Sequence, residues 1–475
     1  MTDSCSSSMN DNVNHASMLV CLESKSAIAM VLRVPFLMWL FSTCFFSGGV
    51  WAVDKPNVIV IMADDLGYGD LSCFGNKVFD TPNLDRMAAE GLRFTDFHSS
   101  GPVCSPTRAG LLTGRYQQRS GIPGVIYAAF DSNRHHGLDP AEITFPELIK
   151  DAGYQTGMFG KWHLGYQKRY NPSLHGFQTF RGYVSGNVDY HSHYDRMGVL
   201  DWWNGDQVED EKGYTTSLIT EHALAFVKKN KSNPFCLYLA YEAPHDPYQG
   251  PNDPAIRVQG KVVPNKYAKG QIPRAYREMV QTMDTGIGKI LELLKTEELD
   301  RNTFVFFLSD NGANKNGSNG DLRGFKGSLW EGGHRVPAIA WWPAEIPPNC
   351  FCDDLTMSLD LMPTLLQLTG AVIPDGHRLD GVSLVPALMG GVMPDRMRKL
   401  FWAYGSKRSM RHGPWKLLTD QRVGGDPQLF LLTKDISEQR SLFNTHRLKA
   451  KRMLSELKAW HADVLIGATS QPSRP

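Results

Sequence analysis

Charge of one sign is what this chain most plainly lacks: 50 Lys and Arg stand against 49 Asp and Glu, a formal net charge of +1 over 475 residues. So even a balance gives no reason to look for a nucleic-acid partner, whose phosphates would favour a basic face. Cysteine is scarce as well, 8 in all. Cys5, Cys21 and Cys44 fall within the first 53 residues, which leaves Cys73, Cys104, Cys236, Cys350 and Cys352. Their spacings match no zinc site. Cys350 and Cys352 are too close to bridge each other comfortably, and disulfide connectivity stays open. No internal repeat and no coiled-coil heptad is visible, so a repeat array is not the architecture.

Long apolar runs are missing too, except near the N-terminus. Met1 to Ser24 is polar, Lys25 and Arg33 follow, and Val34 to Val53 is uncharged and rich in Phe, Leu and Trp. With Val50-Trp51-Ala52 as a small-residue cleavage site, residues 1–53 read as a leader and signal peptide. Met18 or Met30 is an alternative start. A retained membrane anchor is the second reading, because the run is just long enough to span a bilayer. Either way the protein is expected to be exported (periplasmic, secreted or lumenal).

What is present suits a large α/β domain, 54–375, followed by a smaller one, 376–475: the composition is 42% hydrophobic, enough for a sizeable core. Asn57-Val58-Ile59-Val60-Ile61-Met62 and Thr303-Phe304-Val305-Phe306-Phe307-Leu308 are continuous apolar runs, the mark of strands buried on both faces. The first ends in Asp64-Asp65 and the second in Asp310-Asn311. Carboxyl ends of such strands are where α/β sheets place ligands. Three carboxylates and an amide oxygen brought together there need a cation, and oxygen-only donors point to Ca2+ or Mg2+ rather than zinc.

The central stretch is Val-Cys-Ser-Pro-Thr-Arg-Ala-Gly-Leu-Leu-Thr-Gly-Arg, residues 103–115. Pro106 suits a first helical turn and Gly114 a helix stop. Cys104 then sits at a helix N-terminus, with Arg108 one turn on, so nucleophile, cation and dipole converge where an anionic ester could bind. Further along, Gly160-Lys161-Trp162-His163 follows a short strand, and extended backbone would point Lys161 and His163 to one side. Glu242-Ala243-Pro244-His245 follows the apolar strand Phe235–Ala240, and Lys326 lies in a glycine-rich loop. Each of these alone is more often a surface or satisfied loop residue.

Together they resemble the type I sulfatases, whose signature is Cys-x-Pro-Ser/Thr-Arg with a Thr-Gly further on, and the resemblance runs from about residue 55 to about residue 440. It is nearest the arylsulfatase A and N-acetylgalactosamine-6-sulfatase branch. It implies an alkaline-phosphatase-like fold: a mostly parallel central sheet flanked by helices, plus a small C-terminal antiparallel sheet with one packed helix. It further implies that a maturase, a formylglycine-generating enzyme or its equivalent, oxidises Cys104 to formylglycine. By the same resemblance Asp64, Asp65, Asp310 and Asn311 would hold the cation, and Arg108 and Lys161 the aldehyde hydrate. His163 would act as a base, and His245 or Lys326 would protonate the departing alcohol; Lys161, His245 and Lys326 would also bind substrate.

Two other readings have clear discriminators. A phosphatase or phosphodiesterase of the alkaline phosphatase superfamily would need histidine metal ligands where this chain has Asn311, and a Ser or Thr nucleophile. A non-catalytic glycan-binding protein would have lost site residues, and none is substituted. For substrate, the aromatic stretch Gly176–Gly205 reads as a loop insertion near the site. Trp202 and Trp203, with Tyr190 and Tyr194, offer apolar faces for sugar rings, and Asp189, His191, His193 and Asp201 offer hydrogen bonds. A sulfated carbohydrate is the expected substrate.

Overall fold

The computed structural model describes residues 55–473, apart from 131, 421 and 423–425. The leader expected at 1–53 lies outside the described residues. Among those described, no helix is long and apolar enough to cross a membrane.

The fold is the α/β architecture expected: a ten-stranded, mostly parallel sheet with helices on its faces, and a four-stranded antiparallel sheet near the C-terminus. Strand Asn57–Ala63 lies at the centre and is buried throughout, because every residue from Val58 to Met62 is apolar and packs helices on both faces. On one side it pairs in parallel with Thr303–Ser309, on the other with Phe235–Ala240, which in turn pairs in parallel with Gln155–Lys161. Four adjacent carboxyl ends therefore deliver Asp310, Asp64, Glu242 and Lys161 to one edge. The register sets Ala63 opposite Ser309, so Asp64 and Asp310 emerge side by side.

Some boundaries differ for local reasons. Leu92–Phe94 and Phe97–His98 are two short strands rather than one, because Asp96 between them turns its carboxylate onto Arg335 and Arg411. Gly176–Gly205 is not an insertion throughout: Thr179–Tyr183 is a strand that continues the main sheet beside Gln155–Lys161, and Trp203–Asn204 pairs onto it.

The small sheet runs Lys399–Tyr404, Lys407–His412, Trp415–Asp420 and Gln428–Leu431, with helix Arg447–Asp463 against it. Leu400, Trp402, Met410, Leu417, Met453 and Leu457 form its apolar core. It is pinned to the large layer by a buried ionic network. Lys416 donates to Glu331 at 2.9 Å and reaches Glu438 at 3.0 Å, and Arg411 bridges Glu331 and Asp96, each at 2.9 Å.

Candidate active site

Helix Cys104–Thr113 opens at Cys104 and stops at Gly114, whose φ of 62° is the left-handed conformation that glycine takes at no steric cost. The whole helix is buried, which fixes its first residue against the sheet edge. The Cys104 sulfur lies 3.5 Å from Asp64 Oδ1 and 3.3 Å from Lys326 Nζ. Burial, and then the Asp64 charge, push its thiol up to about 12, so as a plain cysteine it is a poor nucleophile at neutral pH.

Around it, cations and carboxylates interleave. Arg108 donates to Asp310 Oδ2 at 2.9 Å, to Asp64 Oδ2 at 3.3 Å and to the Lys161 carbonyl at 3.0 Å. Lys161, fully buried, donates to Asp64, and Lys326 pairs with Asp65 at 2.6 Å. Burial alone would raise the Asp64 carboxyl; Lys161, His245, Arg108 and Lys326 more than reverse this and hold it below the carboxylate range. For Asp310 burial and the neighbouring Asp64 prevail, taking it up to about 6. Such a split is what crowded like charges produce.

The oxygen donors fit a hard cation. Asp64, Asp65, Cys104 and His245 present ligand atoms within 4.8 Å of one another. Asn311 donates its Nδ2 to Asp65 at 2.8 Å, while its Oδ1 is buried with no hydrogen-bond partner. An orphaned amide oxygen beside three carboxylates is the arrangement a Ca2+ or Mg2+ ion would satisfy. A second cluster, His98, Glu331 and His334, is less suited, because Lys416 and Arg411 already neutralise its carboxylate.

Lys161 and His163 both reach the site, but not through strand alternation. The strand ends at Lys161, and His163 takes a left-handed φ of 56° that swings its ring toward the cavity over Cys104. Its Nε2 faces the Ile126 carbonyl at 2.9 Å and its buried Nδ1 has no partner. Burial and the charge of Lys161 hold this imidazole well below the usual histidine range, that is, neutral. Asp65 is also left-handed, at φ 62°. Strain of this kind at two site residues is a cost of about 1–3 kcal/mol each that the surrounding packing must over-determine. His245 lines the same cavity, with Nδ1 2.6 Å from the Asp246 carbonyl and Nε2 3.7 Å from Asp65; burial and Lys326 lower it to about 4.

Trp202 and Trp203 are not where a sugar platform needs them. Trp202 is fully buried, stacked on His193 at 4.5 Å, with its indole N–H on Glu211 at 2.7 Å; Trp203 is buried with its N–H on Asp201 at 2.6 Å. Tyr190 is buried as well. The polar groups of the stretch are likewise committed: Asp189 accepts the backbone N–H of Ser192, Ile256 and Arg257, and Asp201 those of Val184 and Ser185. An indole whose N–H must find a partner is easily held inside, and composition does not distinguish that from a displayed ring.

The cavity itself, about 360 Å3, is walled instead by Tyr127, Tyr166, Asn187, Arg196 and Tyr404 above Cys104, His163, His245 and Lys326. Asn187 and Arg196 come from the aromatic stretch Gly176–Gly205, though not from the residues singled out in it, Tyr127 and Tyr166 from two other loops and Tyr404 from the small sheet.

Known proteins resemble this chain in sequence and fold. The sulfatase family model covers residues 56–371. The chain is 36% identical over 380 residues to N-acetylgalactosamine-6-sulfatase of Canis lupus familiaris, spanning 74% of this chain and 69% of that one. Steryl-sulfatase of Mus musculus is 32% identical over 431 residues, 73% of this chain and 67% of that one. Among solved structures, Ps i-CgsB in complex with k-i-k-neocarrahexaose superposes with a TM-score of 0.78 at 30% identity, over 88% of this chain and 96% of that one. The chain belongs to the sulfatase family. It is a sulfuric ester hydrolase.

Proposed function

We propose that this sulfatase hydrolyses sulfate esters of carbohydrates, and that it does so after oxidation of Cys104 to formylglycine. The observation that carries the reading is the meeting of Cys104, Asp64 and Lys326 at the head of a buried helix, beneath a cavity open to solvent. The likeness to N-acetylgalactosamine-6-sulfatase and to a structure solved in complex with k-i-k-neocarrahexaose supports the carbohydrate. The leader pattern supports an exported protein.

The hydrate of the aldehyde would supply two hydroxyls, one to displace the alcohol from sulfur, the other to restore the aldehyde as sulfate leaves. Asp64, Asp65, Asp310 and Asn311 would hold one Ca2+ or Mg2+, whose charge, when bound, polarises sulfate oxygens and acidifies a hydroxyl. Lys326, whose proton Asp65 and the surrounding negative charge hold firmly despite burial, sits where a sulfate oxygen or the leaving oxygen would lie. Arg108 and Lys161 spread positive charge behind residue 104, where charge develops during attack. Of the two residues expected to protonate the departing alcohol, Lys326 keeps its proton, whereas His245, lowered to about 4, would first have to take one up. His163, neutral and with Nδ1 unpartnered, is placed to take the proton of the second hydroxyl.

The test is mass spectrometry of the peptide containing residue 104 from a host that carries the maturase, together with sulfate release from a sulfated disaccharide. An unmodified thiol in protein that still turns over would overturn the mechanism.

A further inference from the structure

The cavity over Cys104 contains a second cationic point that sulfate ester chemistry at residue 104 leaves idle, and the role it suggests rests on the sulfatase reading. Among the described residues, no carboxylate lines the cavity. Its charged walls are Lys326 at the floor, 3.3 Å from the Cys104 sulfur, and Arg196 at the rim. The Arg196 side chain is 57% exposed yet held on two sides: Nε donates to Asn187 Oδ1 at 3.3 Å and Nη2 to Asp246 Oδ2 at 3.1 Å. Among the described residues, Nη1 has no protein acceptor.

Both anchors are themselves fixed. Asn187 donates to the Asp246 carbonyl at 2.6 Å, and its Oδ1 accepts from the buried Arg257 at 3.1 Å. Its amide nitrogen also lies 3.4 Å from His245 Nδ1. The Asp246 carboxylate takes the Tyr267 hydroxyl and the Asn265 amide, each at 2.6 Å, so its charge is shared among three donors and Arg196 is only partly neutralised. The posture of the guanidinium is thus set by the segment that carries His245. An ion pair this exposed contributes little to stability, so a fold-stapling role does not account for it. Beside it, Tyr127, 54% exposed, and Tyr404 line the same space.

We propose that Arg196 binds a second anionic group, a sulfate ester or a carboxylate, carried by the sugar being desulfated or by its neighbour. The substrate class is then a polyanionic oligosaccharide. A planar guanidinium with a free edge suits either anion, and walls without carboxylates do not repel it.

Three size-matched disaccharides test this: one with a single sulfate, one with two, and one with a sulfate and a uronate carboxylate. For the wild type, kcat/KM is expected to be higher on a doubly charged substrate. Arg196→Gln should lower that value about ten- to a hundredfold, mainly through KM, as loss of a charged hydrogen bond does. The ratio to the singly charged substrate should collapse, and Arg196→Lys should restore part of it. The second-sulfate and uronate arms tell which anion is read. An unchanged ratio in Arg196→Gln, or no wild-type preference for a second charge, overturns the proposal. If none of the three is turned over, the carbohydrate sulfatase reading fails instead. Calorimetric binding of the same disaccharides to Cys104→Ser, with and without Arg196→Gln, then still decides the role of Arg196.

Discussion

Asp65 donates its backbone N–H to Oδ1 of Asp310 across 3.2 Å, joining the ends of two neighbouring parallel strands 245 residues apart in sequence. The bond fixes Asp310 beside Asp65, whose carboxylate in turn accepts from the Asn311 amide at 2.8 Å, while the Asn311 oxygen is buried without a partner. A cation there would relieve their repulsion. Chelation is expected to abolish activity, and Ca2+ or Mg2+ should restore it better than Zn2+. The stripped protein should also gain thermal stability on adding either ion, by about 2.7 kcal/mol at a hundred times the dissociation constant. Asn311→Leu, which removes the orphaned oxygen, should weaken binding about ten- to a hundredfold by calorimetry. Elemental analysis giving two zinc ions per chain would favour a phosphatase instead.

Cys104→Ala removes the atom that is oxidised while leaving the helix in place. Its kcat on a sulfate ester should drop at least about a thousandfold, the scale of losing a nucleophile. The melting temperature should move little, since only one small buried side chain is trimmed. Wild-type protein from a host without the maturase should match the variant in activity and show an intact thiol by mass.

The apolar runs at 58–62 and 304–308 made the centre of the fold and the expected metal-binding edge legible in sequence, because a strand buried on both faces has no polar residue along its middle to suggest another period. The strands Lys399–Tyr404 and Lys407–His412 were not legible. Their core positions include Arg411, buried by its pairs with Asp96 and Glu331, so a charged residue stands where the pattern needs an apolar one. His163 reached the site by a left-handed turn that no spacing rule foresees. Arg196 and Asn187 lie in the stretch 176–205 expected near the site, but nothing marked them within it, since their meaning comes from His245 and Asp246, some fifty residues away.

Trp202→Ala should act on folding rather than on substrate choice. Removing a fully buried indole, together with its bond to Glu211, is expected to destabilise the protein by about 3–5 kcal/mol in denaturant melts. Activity of the folded fraction should fall by the same factor on a sulfated oligosaccharide and on a small aryl sulfate. A loss confined to the oligosaccharide would return this residue to the substrate.

The network beneath the small sheet should make the fold acid-sensitive. Burial raises the Glu331 carboxyl, but Lys416 and Arg411 overwhelm it and hold it well below the usual range; Arg335 and Arg411 do the same for Asp96. Depressed carboxylates stabilise above their unfolded pKa, and that stability is lost as pH falls through the folded value. His98 and His334, held low by burial, act in the same direction: they stay neutral in the fold, while the unfolded chain takes up protons below about 6.5. The melting temperature should therefore decline from about pH 6.5 downward and steepen below about 4.5, and His334→Gln should shallow the upper part of that decline.

Gly160 ties sheet geometry to the chemistry. It precedes Lys161 at a φ of 107°, and a Cβ there would meet the Ala240 carbonyl oxygen at 2.0 Å. Gly160→Ala must therefore both strain the backbone, at about 1–3 kcal/mol, and push Gln155–Lys161 away from Phe235–Ala240. The strand that moves carries Lys161, whose ammonium holds Asp64, and the strand it leaves carries His245 just beyond its end. Gly205→Ala supplies the comparison: its φ of 62° is also left-handed, but a Cβ there meets nothing within 4 Å. Scanning calorimetry should show the larger loss for Gly160→Ala, and its folded fraction should have a lower kcat, whereas Gly205→Ala should lose stability alone. Equal kcat in the two variants would mean that Lys161 is not held in place through this strand pair.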